Sequence, residues 1–298
     1  MAPTPPAASA RVARPAHAGR LPSNPAPAGR FPVIVHADDF GETREITVGI
    51  RRGIESGAVT STSIMANMPG TQFALGCVSA LADRASFGVH LNLCEGTPLT
   101  AGRSLTDSQG LFLSKKQLFL RAVTGRLSLR EVEAEVRAQI AVVRDAGVAI
   151  SHLDGHKHLH QLPVVMSAVA NVLPTFGIER VRITRLGSVA RARNAAVLVR
   201  ECLALKASGK FRKARLRSPV RIVDLQEVMT SQSGKRPLGT WIDPAGPVEW
   251  CCHPGTALAD VEKPGSHRRS NELEFLLSGR FRELANLNRV RFVSYWDV

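Results

Sequence analysis

Residues 31–67 read FPVIVHADDFGETREITVGIRRGIESGAVTSTSIMAN, and the pattern changes period twice within that span. Phe31–His36 is a short apolar, β-branched run of the kind that forms a buried strand. It runs into Asp38, Asp39 and Gly41, where a strand gives way to a loop. Ile46, Ile50 and Ile54 then recur at helical spacing, with Gly57 near the end of the run. "VTSTSIMAN" reads as a second strand. Strand, helix and strand in succession make a βα unit, the building block of a parallel sheet.

The alternation continues outward from this unit. "TQFALGCVSALADR" reads as helix, and "ASFGVHLNL" as a strand ending at His90, Leu91 and Asn92. "LREVEAEVRAQIAVVRDAG" is an amphipathic helix, and "VAISHLDGH" is a strand running into polar residues. Helix "LPVVMSAVANVLPTFG", strand "IERVRIT", strand "VEWCC", a helix around "NELEFLLSGRFRELANL" and a last strand "VRFVSYWDV" follow. The expected fold class is therefore α/β, with a (β/α) barrel-like, TIM-barrel-related architecture, regular or distorted. Three of these strands end in Asp or His, and β/α folds gather catalytic groups at the carboxyl ends of their strands.

With 298 residues, 44% of them hydrophobic, the chain can bury one large core. One barrel domain is expected over residues 31–298, with a basic helical insertion at about 186–240. Residues 1–30 are Ala/Pro/Arg-rich and lack a hydrophobic period, so a disordered tail is expected there. The tail has no apolar stretch of the secretory type. Its Arg-rich, acid-free composition also fits a transit peptide or a start codon assigned too early. No apolar run approaches the ~18 residues of a transmembrane helix. The five cysteines form no CxxC pair and read as reduced thiols of a cytoplasmic protein.

The net charge of +14 is unevenly spread. Four arginines lie in residues 1–30, and thirteen Lys and Arg face one acid, Glu201, in residues 180–221, which leaves the remainder slightly acidic. Aromatics make up 5% of the chain and the basic segment holds one, Phe211, so nucleic acid is not the expected partner. The segment reads most plainly as a solvated helix pair. It would also suit an amphipathic helix over the barrel mouth, or an anionic membrane surface. Homo-oligomerisation is left open.

Four strand-end clusters carry the chemistry: Asp38/Asp39, His90/Asn92, His152/Asp154/His156/His158/His160, and His253. "SHLDGHKHLHQLP", residues 151–163, holds four of the nine histidines. A carboxylate and two imidazoles from separate strands make a three-ligand set with coordination positions left open, as catalytic zinc sites and other divalent first-row sites require. Such a site binds water, lowers its pKa and polarises a carbonyl. A second carboxylate can take the water's proton, and a histidine opposite can protonate a leaving group. Each residue also has a plainer reading: Asp39 as a helix N-cap, Asp38 as a turn former, His90 as a core histidine, Asn92 as the end of a strand. Cys251 and Cys252 read as small buried side chains.

The motifs "ADDFG", "GVHLNLCEGTPL", "SHLDGHKHLHQLP" and "VEWCCHPG", in this order, resemble the signatures of the YdjC-like carbohydrate deacetylase family, which includes chitooligosaccharide and hopanoid-associated deacetylases. The resemblance runs from about Val33 to Glu274. It implies a β/α-barrel-like fold and hydrolysis of N-acetyl groups from sugars with one divalent metal, Mg or Zn first, then Mn, Co or Ni. By motif it makes Asp39, His90 and His156 the metal ligands, Asp38 the general base and His253 the general acid. Asp154, Asn92 and His160 are assigned to ligand support or substrate contact. An N-acetylated saccharide or glycolipid headgroup is the implied substrate. The runner-up readings are a metal-dependent hydrolase of another amide or ester, and a non-enzymatic basic surface-binding protein on a degenerate barrel. The chain departs from the pattern at Glu42-Thr43-Arg44 after "ADDFG", at Lys157, where relatives often carry His, and in "SHRRSNELEFL".

Overall fold

The computed structural model describes residues 31–185, 195–230, 242–257 and 268–298. The tail expected over residues 1–30, and parts of the basic insertion at 186–194 and 231–241, lie outside the described residues.

The opening βα unit forms as its periods dictate, with one difference. β1 (Phe31–Phe40) continues through the acid pair instead of ending before it. It does so over an irregularity: the register with the next strand shifts between Ala37 and Phe40, and Asp39 takes φ +70°. In α1 (Arg44–Glu55) the Thr43 side chain accepts the Ile46 N–H at the N-cap, and Ile46, Ile50 and Ile54 are buried. β2 (Ser61–Ile64), α2 (Thr71–Leu81), β3 (Ser86–Leu91), α4 (Leu129–Asp145), β4 (Ile150–Gly155) and α5 (Pro163–Val172) fall within the segments read from sequence. So do β6 (Val248–Cys252) and β7 (Val290–Val293).

Several elements differ from expectation. The connection from β3 to α4 holds an unforeseen helix, α3 (Lys115–Val123), closed by a capping box at Ser114 and Gln117. "IERVRIT" forms only single bridges, at Arg180 and Val181. Among the described residues of the basic stretch there is a helix, α6 (Ala195–Lys213), and it is packed on one side instead of solvated all round. Its Ala204, Ala207 and Phe211 are buried against the body of the protein on the side of α5. β5 (Arg221–Asp224) and α7 (Leu225–Thr230) were not foreseen. The C-terminal helix is two, α8 (Arg268–Leu277) and α9 (Gly279–Leu287), because Ser278 caps a new start.

The seven described strands form one parallel sheet in the order β4-β3-β2-β1-β6-β5, with β7 beside the first half of β1. Helices flank the sheet. The two ends of this order are joined through residues 180–185. Leu153 of β4 exchanges backbone hydrogen bonds with Arg180 and Arg182 (3.1 and 3.0 Å). Val181 donates to Arg217 (2.9 Å), and Ile222 of β5 donates to Arg185 (3.1 Å). The backbone hydrogen bonding thus runs on from β4 to β5 in a barrel-like ring whose link is irregular chain. Among the described residues no helix is long and apolar enough to cross a membrane.

Candidate active site

Alternation along the strands aims polar side chains at one interior. His36 and Asp38 of β1, Ser61 and Ser63 of β2, His90 of β3, His152 and Asp154 of β4 and Glu249 of β6 are all buried. They meet one another: His36 bonds Ser61 and Ser63, and Ser63 bonds His90 and Asp154. His152 stacks on Tyr295 with ring centroids 3.6 Å apart, and the Tyr295 hydroxyl reaches Glu249. β/α barrels usually fill this space with branched aliphatics; here it holds a hydrogen-bonded network.

At the carboxyl ends of these strands the expected ligands come together. Asp39 Oδ1 lies 2.9 Å from His156 Nδ1 and 3.3 Å from His90 Nε2. Asp39, His90 and His156 are buried, and each offers one ligand atom with all three atoms within 4.8 Å of one another. Asp154 Oδ1 sits 2.8 Å from His90 Nδ1. A carboxylate there keeps the neutral ring's proton on Nδ1 and frees Nε2 for a metal. The set fits a divalent ion. Among the described residues His90 Nε2 and His156 Nε2 are buried and close no hydrogen bond of proper geometry, although a carboxylate oxygen lies 3.3 Å from the first on Asp39 and 3.4 Å from the second on Glu95. Burial would raise the Asp39 carboxyl, but His156, His90 and Arg269 outweigh it and hold it well below the usual range. Burial opposes charge on His90, yet Asp154 lifts it to about 10.

Asp38 turns to a different partner. Arg182 grips both its oxygens, at 2.6 and 2.9 Å, and also reaches Asp154 (3.0 Å) and Glu249. Burial alone would raise the Asp38 carboxyl; Arg182 outweighs it and keeps Asp38 ionised. The adjacent acids therefore separate at the bulge, one to a guanidinium and one to two imidazoles. His253 follows β6 and places Nε2 3.7 Å from Asp38 Oδ2 with 28% of its side chain exposed. Glu272 accepts its backbone N–H, and Arg268, held by Asp224 at 2.8 and 2.9 Å, lies 3.4 Å from its Nδ1.

The remaining candidates serve as supports. Asn92 accepts the N–H groups of Cys94 and Glu95 at 3.2 Å and donates to Glu95 O, shaping the loop that carries Glu95. His160 is fully buried and donates from Nε2 to the Arg182 carbonyl (3.0 Å). Lys157 and His158 both adopt positive φ, 52° and 61°, and Lys157 pairs with Glu95. Consecutive non-glycine residues in that region are strained backbone beside the candidate ligand His156.

Arg182, Arg269 and Glu95 were missed from sequence. Arg269 bonds Asp39 Oδ2 (2.7 Å) and Glu42 (3.0 Å). Glu42 and the "SHRRSNELEFL" segment, two of the three departures from the family pattern, thus meet at a candidate ligand. Glu95 stands in "GVHLNLCEGTPL" next to the residues that were chosen, so its signal was present. Arg182 offered none, being one cation among many in a basic run.

The YdjC-like protein family model matches residues 32–286. A carbohydrate deacetylase of Homo sapiens is 37% identical over 164 residues, 53% of this chain and 49% of that protein. One from Halalkalibacterium halodurans is 37% identical over 147 residues, 49% of this chain and 61% of that protein. The chain thus spans about half the length of these relatives. A carbohydrate deacetylase of Clostridium beijerinckii is 24% identical over 271 residues, 89% of this chain and 99% of that protein. The solved structure of an Enterococcus faecalis protein, described as a candidate for cellobiose-phosphate cleavage, superposes with a TM-score of 0.69 at 21% identity. It covers 90% of this chain and 98% of that one, a likeness of fold.

Proposed function

The chain belongs to the YdjC-like family, and on that premise we propose that it is a metal-dependent hydrolase removing the acetyl group from an N-acetylated carbohydrate, a chitooligosaccharide or a glycolipid headgroup. One observation carries the reading. Asp39, His90 and His156 converge within 4.8 Å beside a separately held carboxylate, Asp38, and a partly exposed imidazole, His253. The carbohydrate deacetylases among the chain's relatives support the substrate class.

A divalent ion held by Asp39, His90 and His156 would polarise the acetyl carbonyl and lower the pKa of a bound water. Mg and Zn lead the candidates, and Mn, Co and Ni also suit two imidazoles and a carboxylate. The chain's own groups then move the protons. Asp38 takes a proton as water oxygen bonds to the carbonyl carbon. Arg182 holds that carboxylate in one orientation, so the accepting oxygen is presented in place. His253, at the exposed side, gives a proton to the sugar nitrogen as the C–N bond breaks, releasing acetate and a free amine. Asp154 keeps the His90 ring in the ligating orientation.

We place the protein in the cytoplasm, where its five free thiols stay reduced. Lys206, Lys210, Arg212, Lys213 and Arg215 are exposed on and just after α6 and suit an anionic membrane surface, where a glycolipid substrate would be met.

The test is acetate release from a panel of N-acetylated saccharides that includes diacetylchitobiose. Acetate and free amine should appear in equal amounts, and Asp38→Asn should slow the reaction by about 10²–10⁴-fold with bound metal unchanged. Cleavage of acetylated amides or esters that are not sugars, with every saccharide untouched, would replace the reading with a hydrolase of another amide or ester.

A further inference from the structure

A second set of donor atoms lies beside the candidate ligands. Asp38, Cys251 and His253 each offer one ligand atom, and these too lie within 4.8 Å of one another. The arrangement follows from two parallel strands in register. His36 of β1 pairs with Cys251 of β6, and alternation puts Cys251 on the same face as Glu249 and His253. Cys252 faces away and spends its thiol on the His36 carbonyl, 3.2 Å distant. Cys251 is 4% exposed, and among the described residues its thiol makes no hydrogen bond. Asp38, Asp154 and Glu249 outnumber the one guanidinium on which they converge, that of Arg182, while burial and Asp38 push the Cys251 thiol up, so an incoming ion has to displace its proton.

The geometry points to a second, thiophilic metal site at Asp38, Cys251 and His253, one that takes Zn²⁺ or Cd²⁺ and inhibits the protein. A thiolate, an imidazole and a carboxylate form a zinc donor set. Mg²⁺ requires oxygen ligands and leaves a thiol alone. The two sites therefore differ in taste: Asp39, His90 and His156 accept hard or borderline ions, and the second set selects soft ones. On binding, the thiol proton passes to solvent as the metal–sulfur bond forms. Occupation engages the two groups assigned to proton transfer, so excess zinc should stop turnover in a protein that runs on Mg or Mn. The inhibitory consequence rests on the proposed function; the binding does not.

Cadmium reads the site directly, through its thiolate charge-transfer absorption and with no turnover needed. The full chain is prepared with Cys202→Ser, which removes the exposed thiol, and titrated with Cd²⁺ in the presence of Mn²⁺. A saturable band is expected, lost in Cys251→Ser and in Cys251→Ala and retained in Cys252→Ser. His253→Gln, which leaves the thiol in place, should weaken cadmium binding. A full band in both Cys251 variants would overturn the proposal, and so would equal loss in the Cys251 and Cys252 variants, which would assign the ion to the adjacent cysteines. Where acetate release is measurable, excess zinc should inhibit the parent and spare Cys251→Ser. Absence of acetate release from every sugar would count against the proposed function, while the cadmium band still decides the site.

Discussion

Arg182 settles the charge balance of the interior. It is fully buried and faces Asp38, Asp154 and Glu249, which converge on it from three strands. Arg182 is the guanidinium that these three buried carboxylates share, and removing it leaves part of their charge uncompensated, so Arg182→Met should destabilise the fold by about 3–5 kcal/mol. Arg182→Lys should recover part of this, because the charge stays while the two-pronged grip on Asp38 is lost. Denaturant unfolding of both variants checks the order. His160 makes a pH prediction. Burial, with Arg182 nearby, outweighs Asp154 and holds the ring at about 4, against an ordinary 6.5. A histidine neutral in the fold and protonated when unfolded costs stability as pH falls from 6.5 towards 4, by up to about 3 kcal/mol. His160→Gln, whose amide can keep the bond to the Arg182 carbonyl, should flatten the stability curve in that window; an unchanged slope would acquit His160. At this scale legibility was uneven. Asp38, Asp39, His90, His156 and His253 stood out because strand ends in a β/α chain announce themselves. Arg182 did not, since its partner Asp38 lies 144 residues away and a local pattern carries no trace of that pairing.

At the scale of elements, α1 and the loop after β6 approach so closely that a glycine is required. A Cβ on Gly49 would lie 2.4 Å from the Gly255 Cα. Helix propensity alone favours Ala over Gly by about 1 kcal/mol. The close approach reverses the sign, and Gly49→Ala should destabilise by about 1–3 kcal/mol. Because Gly255 lies two residues beyond His253, the same variant should also slow turnover; stabilisation on thermal unfolding would refute the contact. α6 makes the second element-scale prediction. Neutralising Arg212, Lys213 and Arg215 should weaken sedimentation with anionic liposomes, and unchanged binding would remove the membrane surface as a partner. Long periodic segments such as α1 and α4 were legible from their buried stripes. β5 was not, because four residues, RIVD, are too few to show a period. Nor was the extension of β1, which depends on a bulge at Asp39.

For the whole molecule, alternating strands and helices pointed to a parallel α/β architecture, and the sheet has that form. Its barrel-like ring runs through residues 180–185, which make single bridges where the periodicity suggested a strand. Position explains the irregularity: this segment carries Arg182 into the interior, and its backbone is propped by His160 and by β4. The polar interior explains how strands from both ends of the chain present one cluster, since residues fixed by hydrogen bonds below the candidate ligands restrict the side chains above. That interior was hidden in sequence, because serine and histidine at alternate strand positions read equally well as a solvated face. The most direct test of the whole scheme compares metal content and acetate release in the wild type and in His156→Ala, over the same saccharide panel. One divalent ion per chain and acetate in the wild type, with both lost in His156→Ala, is the predicted result. No stoichiometric metal in the wild type, or full acetate release by His156→Ala, would contradict it.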